Sequence, residues 1–123
     1  MKSPKLTVPE MEKLWEDADE AGRAAVRTAH IQPMTVKSAT SGETWFVPDG
    51  PCGFAWVKVV PGNSRFAKWM KDNGLGRKAW DGGVDYWISK YGQSMQKKAI
   101  YASAFANVLS AAGIRAYPES RMD

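Results

Sequence analysis

The segment Cys52–Val60 is held between two strong chain breakers, Pro48-Asp49-Gly50-Pro51 and Pro61-Gly62-Asn63-Ser64. Proline and glycine in such clusters impose turns, so the chain must enter and leave this apolar run sharply. The run is too short for an ordinary helix and rich in valine and aromatics, which makes it the best strand in the sequence. Its residues alternate: Ala55, Val57 and Val59 point one way, while Phe54, Trp56 and Lys58 point the other. Two shorter β-branched or aromatic runs precede it, Met34-Thr35-Val36 and Thr44-Trp45-Phe46-Val47, separated by Ser41-Gly42. The three read as an antiparallel meander.

Helical patterns flank this region. Thr7-Val8-Pro9-Glu10 has the form of a capping box, with Thr7 as cap and Glu10 reaching back to it. Met11, Leu14, Trp15, Ala18, Ala25 and Ala29 then recur at helical spacing to about Thr28, with acids opposite, and His30 and Pro33 follow the end. A short helix with Phe66, Trp69 and Met70 on one face starts after Asn63 or Ser64 and ends at Asn73-Gly74. The longest helix spans roughly Ser94 to Ala112, buries Met95, Ala99, Ala102, Phe105, Val108, Leu109 and Ala112, and is closed by Gly113. Between these two helices, Gly83–Ser89 reads as a strand with Val84, Tyr86 and Ile88 on one face and Asp85, Trp87 and Ser89 on the other. A last short strand, Ile114–Tyr117, is expected to stop at Pro118, leaving a polar tail from which Arg121 could fold back to Asp81 or Asp85. The expected fold is therefore one α+β domain over residues 1–123. It has three helices on a mixed, largely antiparallel sheet of about five strands, and its last β-α-β-α-β stretch could form parallel crossovers.

Composition narrows the function classes. The lone Cys52 cannot form an internal disulfide, and no apolar run reaches the roughly 18 residues of a membrane span, so a cytoplasmic protein with no secretory leader and no membrane partner is expected. Net charge is +4, yet residues 1–22 carry three lysines against six acids, so the remainder holds +7. A basic body favours anionic partners such as nucleic acid, nucleotides or acidic proteins; a merely solvated basic surface is an equal expectation.

Phe54, Trp56, Lys58 and Trp87 would share one sheet face, where aromatics beside a cation can stack nucleobases. The competing and commoner arrangement has the first helix lying across that face and burying it. The basic loop Gly74-Leu75-Gly76-Arg77-Lys78 could hold a phosphate, but it lacks the spacing of a nucleotide-binding loop, and a solvated connection is the commoner case. Ser94-Met95-Gln96-Lys97 matches a catalytic Ser-x-x-Lys pair only by its spacing; Ser94 is expected to be a helix cap. Arg77, Lys78, Lys97 and Lys98 would converge if the loop and this helix start lie together. Cys52 and His30 would supply a nucleophile and a base, but a strand cysteine is usually a small buried hydrophobe and His30 sits at a helix end. One cysteine and one histidine are too few for a transition-metal site. No catalytic residue and no cofactor is expected.

The blocks Cys52-Gly53-Phe54-Ala55-Trp56-Val57, Gly82-Gly83-Val84, Tyr91-Gly92-Gln93-Ser94 and Ser120-Arg121-Met122-Asp123 resemble a group of small uncharacterised proteins of tailed phages and prophages. The similarity covers most of the chain after about residue 45. It implies a phage context and a host-cell cytoplasm, and it transfers no activity and no functional residue. The leading expectation is a small binding protein for single-stranded nucleic acid or a nucleotide. A host-protein-binding module that modulates an enzyme or defence complex is the second reading, and an enzyme with an unrecognised site is the third.

Overall fold

A computed structural model describes residues 5–29, 34–37, 44–47 and 52–122. The expected turns at Ser41-Gly42 and Pro48–Pro51, together with His30 and Pro33, lie outside the described residues. Helix α1 covers Val8–Thr28, strands β1 and β2 cover Met34–Lys37 and Thr44–Val47, and β3 covers Gly53–Val59. Then come α2 (Arg65–Asp72), β4 (Arg77–Lys78), β5 (Val84–Trp87), α3 (Met95–Ala111) and β6 (Ala116–Met122).

The main sheet has four strands in the order β4-β5-β3-β6, every pair antiparallel. The class is α+β with three helices among the described residues, but this sheet has four strands rather than five and contains no parallel crossover. β1 and β2 pair with each other in a separate two-stranded sheet, so the expected meander into β3 does not form. β3 takes β5 and β6 as neighbours instead. The physical reason is burial: β3 is flanked on both sides, so its inward residues Ala55, Val57 and Val59 are wholly buried.

α3 packs against β3 and β6, and α1 packs on α3. The core gathers Val57, Val59 and Val84 from the sheet, Tyr101, Phe105 and Leu109 from α3, Met11 and Ala18 from α1, and Phe66 and Met70 from α2. Each such side chain taken from water stabilises the fold by about 1.5–3 kcal/mol before the entropy of ordering it is counted. The register of α3 differs from the periodicity reading: Lys98, Tyr101 and Ala106 are buried along with Ala102, Phe105 and Leu109. Tyr101 gains its place from Gly22, where an added Cβ would lie 2.5 Å from the Tyr101 ring. The tyrosine hydroxyl in turn donates to Asp19, a carboxylate that also meets Arg23 at 2.9 Å and Lys90 at 3.7 Å.

The local signals at the helix ends hold. The Thr7–Glu10 capping box forms, Ser64 caps α2 and Ser94 caps α3 by accepting from the Lys97 N–H. Gly74 and Gly113 take positive φ just past the ends of α2 and α3. β6, however, runs through Pro118 to Met122 and does not stop there. The Val60 N–H donates to the Arg115 carbonyl, and the Ile88 N–H donates to the Ala55 carbonyl. By the alternation of antiparallel ladders, odd-numbered β6 residues therefore face β3, and Pro118 turns its hydrogen-free nitrogen to the open edge.

Candidate functional site

The opposite sheet face carries the side chains that alternate away from the core: Phe54, Trp56 and Lys58 from β3, Asp85 and Trp87 from β5, and Tyr117, Glu119 and Arg121 from β6. No described helix crosses it. The expectation that α1 would cover these aromatics is corrected by where α1 docks. Its Trp15 packs among Phe66, Trp69, Tyr86 and Phe105, all on the helical side. Once α3 fills the aliphatic face, α1 packs on α3 and sets Trp15 against Phe66 and Trp69 of α2 without reaching the aromatic face.

Trp56 and Trp87 are directly opposite each other in the β3–β5 ladder, and their rings stack at 4.4 Å with an interplanar angle of 29°. Phe54 meets Trp87 edge-on at 6.2 Å. The Arg121 guanidinium lies 5.5 Å from the Phe54 ring and 6.0 Å from the Trp87 ring, which is cation–π range. It is held on this face by the strand rather than drawn to Asp81 or Asp85. The indole of Trp56 donates to Glu119 at 3.1 Å, fixing its ring orientation. Beside these rings a cleft of about 370 Å³ is lined by Trp56, Trp80, Trp87, Arg77, Lys78 and Arg121, with Asp81 and Asp85 also contributing. Trp80, in the turn between β4 and β5, is 99% exposed.

Lys58 is the one expected cation of this face whose charge is already matched. Its ammonium lies 2.9 Å from Asp81 and 3.0 Å from Asp85, and it donates to the Gly82 carbonyl at 2.8 Å. Burial alone would lower its pKa, but the two carboxylates more than offset this and raise it above the ordinary lysine value. Asp81, hydrogen-bonded to Lys58, is held below the usual carboxylate range. Burial pushes Asp85 the other way, above its usual range, against the pull of Lys58. The buried Asp85 Oδ1 makes its ion pair without a hydrogen-bond alignment.

The remaining expected residues divide. Arg77 and Lys78 form β4 at the sheet edge and line the cleft beside the tryptophans. No carboxylate among the described residues pairs with either, nor with Arg121. Lys98 does not join them: it is buried, its ammonium is directed to the Gly53 carbonyl at 3.4 Å, and it sits 5.6 Å from the Phe54 ring. There it braces Phe54 from the α3 side. Lys97 is in the first turn of α3, where its backbone N–H is capped by Ser94, and the Ser-x-x-Lys spacing is thus accounted for by a cap. Cys52 is exposed, contrary to the usual burial of a strand cysteine. Trp80 and Arg121 belong to the site yet were not singled out for it. The signal for Arg121 is its odd–even phase in β6, hidden by a proline of the kind that ordinarily ends a strand, and Trp80 offers no periodicity at all.

Comparisons with protein-family models, with curated proteins and with solved structures return no match for this chain. Among the described residues, no helix is long and apolar enough to cross a membrane.

Proposed function

We propose that the outer sheet face is the binding surface of a small non-enzymatic module, and that its ligand is single-stranded nucleic acid. The observation that carries this reading is the row Phe54–Trp87–Trp56, which no described helix crosses, with Arg121 above it and Arg77 and Lys78 at its edge. Aromatics on the two central strands of a four-stranded sheet are how sheet-based modules present platforms to splayed bases, each stacked base contributing about 1–3 kcal/mol. Guanidinium and ammonium groups beside them suit the phosphates between those bases. Lys58 and Lys98, both expected as contacts, act in this reading by positioning the β4–β5 turn and Phe54. The resemblance of the sequence blocks to phage proteins gives the reading its setting in an infected host cytoplasm.

A tryptophan-fluorescence titration with a short oligothymidylate tests it. Binding should quench emission and weaken as salt rises, and Trp87→Ala should reduce affinity about 5- to 150-fold, the equivalent of one stacked base. The absence of quenching at low salt would sink the nucleic-acid reading.

The full exposure of Trp80, with Tyr117 and Met122 also exposed, favours one second reading: a host-protein surface docking on these side chains as anchors. That complex would form with little salt dependence and would lose affinity on Trp80→Ala.

A further inference from the structure

A second concavity lies on the other side of β4, between α2 and the turn that leads into β5. Its volume is about 290 Å³, its floor includes the backbones of Gly62 and Gly83, and its rim carries Asn63, Lys68, Lys71 and Lys78. No carboxylate lines it. Lys68 and Lys71 stand three residues apart on α2 and so project from one face of the helix. β4 brings Lys78 from across the gap, where it borders both this concavity and the tryptophan cleft. None of the three lysines pairs with a carboxylate among the described residues. Asp81, in the adjoining turn, is turned away to Lys58.

Two features favour glycine at the floor. Gly62 and Gly83 lie back to back, and a Cβ on Gly83 would approach the Val59 carbonyl and Val60 side chain to 2.8 Å. Gly83 also holds φ at 76°, where a side chain is strained. Three like charges around a small acid-free hollow repel one another, and an anion with several oxygens relieves that repulsion by accepting from all three at once. The Asn63 amide adds a neutral donor.

We propose that this hollow is a phosphate-binding site, built by Lys68, Lys71 and Lys78 around the Gly62–Gly83 floor. The ligand chemistry is a phosphate group, either free or carried in a nucleic-acid backbone. The site itself stands on its own geometry; only the second source rests on the function proposed above. In that case a strand whose bases lie on the tryptophans passes over Lys78 at the edge and sets its next phosphates into the hollow.

The test uses the intact protein and the exposed-helix variant Lys68→Gln/Lys71→Gln, with Lys78→Gln as a second variant from a different element. Inorganic pyrophosphate is titrated into the isotope-labelled protein at low salt, and the amide signals of Gly62, Asn63 and Gly83 are followed. Oligothymidylate affinity is measured across a salt series by tryptophan quenching. The site predicts either pyrophosphate-dependent shifts at those amides that vanish in both variants, or a salt slope for the oligonucleotide that falls by about 1.4 in the double variant, about 0.7 for each lost single-strand contact. Shifts without quenching would assign a free phosphate and remove the nucleic-acid reading while keeping the site. Quenching with a reduced slope and no pyrophosphate shifts would assign the backbone source. Silent amides together with an unchanged slope would overturn the site, and quenching alongside them would leave the aromatic face standing without it.

Discussion

Tyr101 shows how much one side chain can carry. It is buried, its ring rests on Gly22, and its hydroxyl donates to Asp19, which with burial holds its pKa far above the ordinary tyrosine value. Gly22→Ala should overpack this contact and destabilise the protein by about 1–3 kcal/mol despite the better helix propensity of alanine, which a denaturant titration would measure. The carboxylates at the same scale give a pH dependence with two opposing signs. Asp19, where burial is outweighed by its hydrogen bonds to Tyr101 and Arg23, and Asp81, paired with Lys58, have depressed folded values. Their stabilisation is present above the ordinary value of 3.8 and is lost as pH falls below it. Asp85 has a raised value, so folding gains stability as pH falls from that raised value towards 3.8. Thermal unfolding followed across the acid range should therefore show a shallow rise before the fall. Asp85→Asn should abolish the rise and leave the fall; a profile unchanged by that substitution would contradict the assignment. Caps, the capping box and the strand alternations were all readable residue by residue, because each depends on neighbours within a few positions. The burial of Lys98 and the double pairing of Lys58 were not, since both depend on partners brought in by distant segments.

Among the elements, β6 departs most from expectation. Proline ends a strand only when its nitrogen is needed by the ladder, and Pro118 faces the open side of an edge strand. It removes one donor from the alternate residues Ala116, Pro118, Ser120 and Met122, whose backbone groups point away from β3, which discourages another strand from adding there. Pro118→Val should restore a donor at the centre of that edge and raise self-association, visible as a concentration-dependent sedimentation coefficient. A variant as monodisperse as the parent would show that the proline does not guard the edge. The helix pattern located all three helices, yet it could not predict which face α1 would choose. Met11, Leu14 and Trp15 would satisfy either the aromatic sheet face or the groove beside α3, and only the assembled sheet decides.

For the molecule as a whole, the division of labour follows from the sheet's two faces. The helices use the aliphatic one, and the aromatic one is left to Phe54, Trp56, Trp87 and the cations around them. Charge is divided as well: α1 pairs Asp17 with Lys13 and Asp19 with Arg23 at i,i+4 spacing, while Lys68, Lys71 and Lys78 surround an acid-free hollow. The class α+β and the opposed faces were legible because alternation is local. The four-stranded order and the hollow were not, since strand pairing and the approach of α2 to β4 are long-range outcomes.

The stacked tryptophans have an optical consequence. Two indoles at 4.4 Å do not absorb as independent chromophores; their electronic transitions couple and split into a pair of circular-dichroism bands of opposite sign. The amplitude of that couplet depends on the angle and separation of the two rings, so the folded protein carries a built-in gauge of its outer face. Unfolding would erase the couplet, and a ligand that wedges between or rotates the rings would change it. One that only grazes Trp80 would leave it as it was.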